Sequence, residues 1–518
     1  MLRKAVLTIL AIGAAPISAA HAEWIEGSSK HFVVYADDSP AHVKEMTSNL
    51  ERFDKAVRTV LKLKEPDVSP EARVTVFVLP SIDDVQKMLG ARGKNVAGYY
   101  RNDGPAPIAF VPKNSGNDSS QTPATILRHE YTHHVMRSSW GDVTFPTWFS
   151  EGFAELFATA KSTSDGGIII GAVPLYRAYG IDRMNDMPIE RLTSGPPNYK
   201  DALQGQEFYG RAWLLTHYLI FDKDRAKQLA DYISAINAGK PAKEAEALLG
   251  LNSTLDLKMN GYGARRTLPS AALSASQLPI GEVSTRPLTP GEAATISVQM
   301  RSKNGVDQKL AQEVVAQART AAAPFPNDPA AQNELAEAEY DAGNYAASEA
   351  AADRALAANP KSVHALVYKG MAQGTIAEKA GVTDPAVWTA VRRWYLAANK
   401  LEPLYAYPVQ LYYESFLAAK QVPTRAAKDA LLYGYQLAPQ NLTIRQEAAR
   451  ILIDDGKLKA ARIALEPIAF DEDPSPLVDA AKKAIAALDA NDGAAALEAL
   501  KPAPPEKPGD KPGEKKKS

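Results

Sequence analysis

The sequence predicts an α+β domain followed by an all-α domain of helical repeats. At 518 residues the chain is too long for a single hydrophobic core. Up to residue 120, short runs of β-branched and aromatic residues alternate with a helical pattern, which is typical of an α+β unit. Beyond residue 305 the composition changes to alanine-rich stretches with helical spacing, which indicates a second, helical domain.

Residues 1–22 are predicted to be a signal peptide. Arg3 and Lys4 supply the positive end, residues 5–15 the apolar stretch, and residues 20–22 (Ala-His-Ala) the cleavage site between small residues. An uncleaved anchor would need about 20 apolar residues, and a proline and polar residues interrupt this stretch. We therefore expect an exported protein, periplasmic in a Gram-negative source and secreted otherwise, with no transmembrane segment in the mature chain.

Composition excludes two classes of function. The chain has no cysteine, which excludes disulfides, thiolate catalysis and zinc sites with cysteine ligands. Its 59 Lys and Arg residues nearly balance its 60 Asp and Glu residues, and the net charge is −1. Because binding to nucleic acid relies on an excess of basic residues against the phosphates, we expect no nucleic-acid partner.

Residues 23–264 are predicted to form the α+β domain. β-rich runs predict its strands, and apolar residues at helical spacing predict a long helix between the first two strands. The second half of the domain is predicted to be mainly helical, with an insertion at residues 166–171. The predicted strands cover residues 32–36, 74–79 and 108–111, and the predicted long helix covers residues 41–64.

The most informative motif is the sequence His-Glu-Tyr-Thr-His at residues 129–133. It lies in a predicted helix that begins with Thr122 as the N-cap and Pro123 in the first turn. His129 and His133 are four residues apart, so both imidazoles lie on one helix face and can bind one metal ion. Adjacent to them, Glu130 can take a proton from a water molecule at that ion.

A second predicted helix, beginning near residues 146–147, can complete the site. It is mostly apolar but carries Glu151 and Glu155 four residues apart, and buried carboxylates are costly without a cation or hydrogen-bond donors. A hydrolytic zinc site has three protein ligands and one open position. The sequence therefore predicts one Zn²⁺ ion bound by His129, His133 and Glu151.

The combination of residues 129–133 with Trp-Phe-Ser-Glu-Gly-Phe-Ala-Glu at residues 148–155 resembles the gluzincin metallopeptidases, the clan of thermolysin and the zinc aminopeptidases. Within that clan it is most similar to the peptidase MA-like bacterial proteins. The resemblance implies a thermolysin-like α+β fold, zinc bound by the three predicted ligands, and Glu130 as general base. It also implies that Glu155 holds a ligating histidine, although the clan has Asp there; the alternative is a solvated helix residue.

Two departures from the clan limit the resemblance. The spacing from His133 to Glu151 is one residue shorter than in typical zinc aminopeptidases, a difference that the loop at residues 138–145 can absorb. The aminopeptidase signature Gly-x-Met-Glu-Asn is absent, and the corresponding region, residues 97–104, has no glutamate for a free α-amino group. The sequence therefore does not support aminopeptidase specificity. A strand such as residues 108–111 is expected, from the resemblance, to edge the cleft and pair with an extended substrate.

Two further residues have open roles. Tyr209 is the best placed candidate to donate a hydrogen bond to the oxyanion of the reaction, as a downstream tyrosine or histidine does in the clan. The alternative is that Tyr209 packs as an ordinary aromatic residue on an amphipathic helix. His134 points about 100° away from His133 on a helix, so we expect it not to bind the same ion.

The remainder of the chain is predicted to contain a linker, helical repeats and a disordered end. Residues 265–304 are rich in Ser, Pro, Thr and Ala without sustained periodicity, which fits a linker. Residues 305–500 resemble tetratricopeptide repeats, best in the stretch 335–360, with an insertion around residues 374–383. A generic helical domain is the alternative. The Pro- and Lys-rich residues 501–518 are predicted to be disordered.

The sequence thus predicts an exported zinc metallopeptidase with a peptide or protein substrate. Stacked repeats present a concave surface, on which a substrate or protein partner is expected to bind. Two alternatives remain at this stage. One is a repeat scaffold whose metallopeptidase-like domain is inactive, and the other is a zinc hydrolase acting on a non-peptide amide. Glu130 favours an enzyme, because loss of this carboxylate would be the simplest route to an inactive site.

Overall fold

The computed structural model describes residues 23–90, 96, 98–101, 104–114, 122–182, 187–198, 201–251, 253–470 and 475–501. The predicted signal peptide and all but the first residue of the predicted disordered end lie outside these residues. The described chain is mostly helical with a small sheet near its beginning, so the α+β part followed by a helical part is confirmed.

A six-stranded sheet forms the base of the first domain, in the order β4-β5-β3-β2-β1-β9. The three central strands β5, β3 and β2 are parallel, and the remaining strands pair antiparallel. The predicted strand at residues 108–111 is β5, which lies second from the edge; the edge strand on that side is β4. The six strands are β1 (Trp24–Ser28), β2 (Phe32–Asp37), β3 (Val74–Leu79), β4 (Tyr99–Arg101), β5 (Ile108–Pro112) and β9 (Ser284–Pro287).

Side chains of the central strands alternate between the two faces of the sheet. Val34, Val76 and Ala109 belong to the main core, together with residues of α1 (Pro40–Leu61) and α3 (Pro123–Ser139). Tyr35, Phe77 and Phe110 lie on the opposite face, where their rings stack, with centroids 5.5 and 5.1 Å apart. That second face packs against α2 (Ile82–Leu89) and a helix from the segment after the first domain.

The core under the sheet is completed by helices that follow α3 in the chain. A small sheet of β6 (Lys161–Ser162), β7 (Ile168–Ile170) and β8 (Ala271–Leu273) lies beside them, and β7 falls in the predicted insertion. The helices are α4 (Thr147–Ala158), α5 (Ala178–Asp182), α6 (Ile189–Thr193), α7 (Ala202–Phe221), α8 (Lys223–Asn237), α9 (Ala242–Leu249) and α10 (Ser253–Gly263).

Helices α4 and α7 cross at very close range because α4 has a glycine at the crossing point. A Cβ atom at Gly152 would overlap the backbone carbonyl of Ala212 and the hydroxyl of Thr216 on α7. The rest of α4 is mostly apolar and buried around Trp148 and Phe157, and the helix also buries the carboxylates of Glu151 and Glu155. The crossing therefore fixes the position of α4 relative to its neighbours.

Residues 265–304 do not form the predicted linker. The segment contributes β8 to the small sheet and β9 to the main sheet, and it ends in α11 (Pro290–Lys303). The helix begins with a capping box formed by Thr289 and Glu292. A linker was predicted because polar residues at helix caps and on one exposed strand dominate the composition of this segment.

The helical domain consists of six consecutive antiparallel helix pairs in the described part of the chain. Positive φ angles at Gly343 and Gly456 allow the tight turns inside two of the pairs. The insertion around residues 374–383 is absorbed by two 17-residue helices. The remaining helices are α12 (Gln308–Ala322), α13 (Pro329–Asp341), α14 (Tyr345–Ala358), α15 (Val363–Lys379), α16 (Pro385–Leu401), α17 (Ala406–Ala418), α18 (Arg425–Leu437), α19 (Leu442–Asp454), α20 (Leu458–Ala469), α21 (Pro476–Asp489) and α22 (Gly493–Ala499).

The helical domain contacts the first domain at both ends. Near its start, Asn304 accepts a hydrogen bond from Tyr99 of β4 (2.5 Å) and donates one to the carbonyl of Met88 (2.7 Å). Near its end, Arg445 donates to the carbonyl of Gly141, just after α3. In the described residues, no helix combines the length and the apolar character needed to span a membrane.

Substitution of Gly152 by alanine should destabilise the first domain. The added methyl group must displace the backbone of α7, an overpacking that costs about 1–3 kcal/mol of free energy of unfolding. Gly205→Ala on α7 is the matched control, because a Cβ there meets no atom within 4 Å. In the control, alanine should increase the free energy of unfolding by up to about 1 kcal/mol, because alanine favours the helix more than glycine does. Urea unfolding of both variants measures the difference, and equal midpoints would contradict the proposed close crossing.

Candidate metal centre

Helix α3, which carries the His-Glu-x-x-His motif, begins and is anchored as its sequence dictates. The side chain of Thr122 accepts a hydrogen bond from the backbone N–H of Thr125, and Pro123 occupies the first turn, as predicted. In the middle of the motif, the hydroxyl of Tyr131 donates to buried Asp54 on α1 (2.7 Å). Asp54 in turn pairs with Arg58 at 2.8 Å. This buried contact fixes the rotation of α3.

The structure brings the three predicted ligands together. The Nε2 atoms of His129 and His133 are 3.3 Å apart. Glu151 on α4 places one carboxylate oxygen 3.2 Å from Nε2 of His129 and the other 3.4 Å from Nε2 of His133. Both imidazoles are 13% exposed and the carboxylate 8%.

These separations fit a tetrahedral zinc ion. Ligand atoms at about 2.0–2.1 Å from zinc and at tetrahedral angles are separated by about 3.3 Å. The two Nε2 atoms are 3.3 Å apart, and the two nitrogen–oxygen distances are 3.2 and 3.4 Å. All three distances lie close to that value. Two imidazoles and one carboxylate are also the donor set of hydrolytic zinc sites that keep one open position. The residues present therefore fit the group that the sequence predicts.

The metal-free site holds a proton. Burial lowers the pKa of His129, but its hydrogen bond to Glu151 and the charges of Glu155 and Glu130 outweigh burial and raise the pKa to about 9. Burial raises the pKa of Glu151, but the charge of His133 and the hydrogen bond with His129 outweigh it and hold the pKa well below its usual range. The carboxylate is thus ionised and ready to bind a cation.

Glu155, one turn further along α4, supports the site from behind. Its fully buried carboxylate lies 3.8 Å from Nδ1 of His129, within the range of an ion pair. Tyr176 donates to one carboxylate oxygen at 2.5 Å, and Arg177 donates to the other at 2.9 Å. Glu155 is therefore not a solvated helix residue, and it can orient the imidazole of His129.

The sequence did not point to the partners of these residues. Tyr176 and Arg177 lie in a 3-10 turn (Leu175–Arg177) with no recognisable motif, more than 20 residues after Glu155. Ser150 places its hydroxyl 3.2 Å from Nδ1 of His133 and so supports the second imidazole. Only Ser150, directly before the ligand Glu151, could have been found from the motif itself.

Tyr209 on α7 lies beside the site. Its ring centroid is 6.3 Å from that of His129, in an edge-to-face arrangement. The guanidinium of Arg177 stacks over the ring at 4.4 Å. Tyr209 therefore packs as an aromatic residue against His129 and Arg177.

Glu130 follows His129 on α3 and is partly buried. Among the described residues it has no hydrogen-bond or ion-pair partner, so its carboxylate is available to a bound molecule. The charge of Glu130 acts on His129 and also on Tyr100 in β4. Burial, followed by the charge of Glu130, raises the pKa of Tyr100 well above the usual range. The edge strand β4 thus runs along the side of the site that carries Glu130.

His134 does not face the ligands. Its ring stacks on Tyr131, with centroids 5.5 Å apart, and contacts Tyr100 at 6.0 Å. Burial and the nearby charges of Arg58 and His31 lower its pKa to about 3, so the imidazole is neutral. This placement agrees with the expectation that His134 does not bind the metal.

A second group of potential ligand atoms lies below α3. His31, Glu51 and Asp54 are all buried, and their ligand atoms lie within 4.8 Å of one another. Nδ1 of His31 is 2.9 Å from Glu51, and the backbone N–H of His31 also donates to Glu51 at 2.7 Å. These hydrogen bonds hold His31 against Glu51 below the Tyr131 anchor, whereas Nε2 of His31 is buried without a hydrogen-bond partner among the described residues.

Two comparisons with known proteins gave a match. Residues 123–243 match a family model described as "Protein of unknown function (DUF1570)", a segment that begins at α3 and includes every predicted site residue. The solved structure described as "MamA RS-1 ArsTM double mutant" is similar at 16% identity, over 36% of this chain and 99% of that chain, with a TM-score of 0.28. A search of curated proteins found no match.

Zinc affinity should rise with pH. Because the pKa of His129 in the metal-free protein is about 9, zinc must displace a proton from its imidazole at neutral pH. The apparent affinity is therefore expected to increase about tenfold for each pH unit up to pH 9. Competition with a chromogenic chelator between about pH 6.5 and 8.5 measures this slope. An affinity that stays constant over the range would contradict the assigned protonation of His129.

Glu155→Gln should weaken zinc binding without removing a ligand. The amide keeps the shape of the side chain but loses the charge beside His129, so the expected loss is about 10- to 100-fold in affinity. Glu190→Gln, at an exposed position on α6, removes the same charge away from the site and should leave the affinity unchanged. Equal affinities for both variants would show that Glu155 does not support the ligand.

Proposed function

We propose that this protein is a zinc-dependent peptidase of the gluzincin type. The observation that carries the proposal is the convergence of His129, His133 and Glu151 at separations of 3.2–3.4 Å, with Glu130 next to them. The donor set, the unpartnered carboxylate and the supporting acid match the clan in their order along the chain. A thermolysin-like arrangement of the domain is part of this proposal.

Each protein residue has a defined task in the proposed reaction. His129, His133 and Glu151 would hold zinc, which would supply positive charge to acidify a water molecule and polarise the scissile carbonyl. Glu130 takes the proton from the attacking water and then transfers it to the leaving amine. Tyr209 donates a hydrogen bond to the oxygen that becomes negatively charged. Glu155 and Ser150 hold the two imidazoles in the orientation in which they bind.

The edge of the sheet suits an extended peptide. Among the described residues, strand β4 is the last strand on its side of the sheet; it pairs with β5 and contacts α3. Main-chain groups at such an edge can pair with a substrate strand. An enzyme that reads the backbone of its substrate in this way acts on peptides rather than on isolated amides. This geometry therefore favours a peptide substrate over the non-peptide amide.

The helical domain narrows one side of the site. A cavity of about 80 Å³ separates α3 and α4 from α19 and α20, and its walls include His133, Ser150, Pro439 and Phe470. Arg445 and Tyr435 anchor this part of the helical domain to the loop after α3. We propose that the substrate approaches the metal between these helices and β4, so the helical domain contributes to substrate selection.

An inactive scaffold is the second candidate. A scaffold would need the helical domain and the fold of the first domain but not an intact general base. The unpartnered Glu130 beside the ligands favours the enzyme, because a carboxylate in a half-buried position is unfavourable unless it is used.

Glu130→Gln should abolish peptide hydrolysis and keep the metal. Loss of the general base is expected to reduce kcat/KM by about 10²–10⁴-fold, whereas zinc content stays near one ion per chain. Internally quenched peptides assay the cleavage, and the same preparation is analysed for zinc. Glu190→Gln is the charge-matched control and should cleave like the wild type.

Three outcomes separate the candidates. Zinc-loaded wild type that cleaves no peptide in the library but hydrolyses simple amides supports the non-peptide hydrolase. Zinc binding without any hydrolysis supports the scaffold, and full activity in Glu130→Gln removes the proposed mechanism.

Tyr209→Phe tests the oxyanion donor: a loss of about 10²–10³ in kcat with little change in KM is expected if the hydroxyl acts in the reaction. If Tyr209 only packs against Arg177, the variant keeps its activity.

A further inference from the structure

A large cavity lies on the face of the sheet opposite the metal centre. Its volume is about 710 Å³, and on one side it is lined by Val33, Tyr35, Thr75 and Ile108 of β2, β3 and β5. The neighbours of these residues in the same strands point into the core shared with α3. The cavity and the predicted metal ligands are therefore separated by the thickness of the sheet.

The other wall of the cavity is the inner surface of the helical domain. Its residues come from the first helix of successive pairs, α11, α13 and α15, and from the start of α17. The inner surface of the first pairs is thus turned towards the sheet of the first domain. A ligand on this part of the inner surface therefore lies between the helices and the sheet.

The helical wall carries more negative than positive charge. Lys303 of α11 is the cation among four carboxylates, whose charges outweigh the effect of burial and raise the pKa of the lysine. These carboxylates belong to Glu71, Glu334, Glu337 and Asp341. Burial, followed by the charge of Glu337, raises the pKa of Glu334 and of Asp341 to about 7. Burial raises the pKa of Glu337, but the charge of Lys303 and the hydrogen bond with His364 outweigh it and lower the pKa to about 2, so Glu337 is ionised.

One carboxylate oxygen in this wall has no partner among the described residues. Glu334 is 7% exposed and lines the cavity, and its Oε1 atom accepts a hydrogen bond from Gln299 at 3.0 Å. Its Oε2 atom is buried and receives no hydrogen bond. Nδ1 of His364, whose Nε2 is 2.8 Å from Glu337, is likewise buried without a partner. A ligand that donates hydrogen bonds would satisfy both atoms.

Two other cations of the cavity, Arg73 and Arg101, already have partners, and a third, Lys361, is exposed. Arg73 donates to the hydroxyl of Ser28 and to two backbone carbonyls, at 2.7–3.0 Å. Arg101 donates to the carbonyl of Asn304. Tyrosine rings of Tyr368, Tyr405 and Tyr407 form the remaining surface, and such rings attract organic cations.

The spacing of the acids argues against a metal ion. Within the described residues, ligand atoms close enough to share one ion occur in two groups, the predicted zinc ligands and the group around His31. The acids of the cavity belong to neither group. A larger cation, with several N–H donors, can span the wider separation that these carboxylates present.

The geometry points to a binding site for an organic cation, a primary ammonium or guanidinium group, among Glu334, Glu337 and Asp341 against the tyrosine rings. The group can come from a free polyamine or from a lysine or arginine side chain of a peptide. This site does not depend on the proposed peptidase reaction, because the sheet separates it from the metal ligands.

Calorimetric titration of the full chain with two probes tests the site. Spermidine represents the free amines, and the blocked tripeptide Ala-Lys-Ala represents a side chain of a polypeptide. At constant ionic strength, at least one probe should bind saturably, and Glu334→Gln should weaken that binding at least about tenfold. Binding of spermidine alone assigns a free amine, and binding of the tripeptide alone assigns a peptide ligand.

Matched variants make the result decisive. Glu378→Gln removes a charge at an exposed position of α15 and should bind like the wild type. Glu130→Gln should also bind like the wild type, which separates this site from the metal centre. If Glu334→Gln does not fold, Asp341→Asn provides the same comparison. Absence of saturable binding by both probes, or equal binding by Glu334→Gln and Glu378→Gln, would overturn the proposal.

Discussion

The close crossing of α4 and α7 at Gly152 is the constraint on which the candidate metal centre depends. Helix α4 carries Glu151 and Glu155, and α7 carries Tyr209, so one glycine sets the distance between a predicted ligand, its support and the predicted oxyanion donor. Helix α3 is held separately, by the hydrogen bond from Tyr131 to Asp54. The two anchors are independent, yet both must hold for three ligands to meet within 3.4 Å.

Buried charge is distributed differently on the two faces of the sheet. On the α3 face, the carboxylates of Glu151 and Glu155 lie against histidines, a tyrosine and an arginine, and their arrangement matches the radius of a small ion. On the opposite face, the acids around Lys303 are too widely spaced for such an ion. Burial of carboxylates is costly in both places, so a cation would stabilise each arrangement, and the spacing of the acids determines the size of cation that fits.

Sequence patterns predicted the elements with strong local signals. Strands β2, β3 and β5 and helix α1 agree with the predicted runs to within a few residues, and α14 ends near the end of the predicted repeat stretch 335–360. The proximity of the two histidines was predictable because a four-residue spacing on a helix is itself geometry, and Glu151 was predicted from the second motif. Tyr176, Arg177 and β9 were not predictable, because their roles arise from contacts between residues far apart in the chain. Weak local patterns leave such contacts undetermined.

The contacts of Asn304 bear on where the first domain ends. This residue follows α11, at the end of the predicted linker, yet it holds Tyr99 of β4 and the end of α2. A fragment cut at residue 264 would lose β9 from one edge of the sheet and, at the other edge, the hydrogen bonds of Asn304. Strand β1 would then carry unpaired backbone groups, which promote aggregation. Autonomous folding of the first domain up to residue 264 is therefore not expected, and the following segment acts as part of its scaffold.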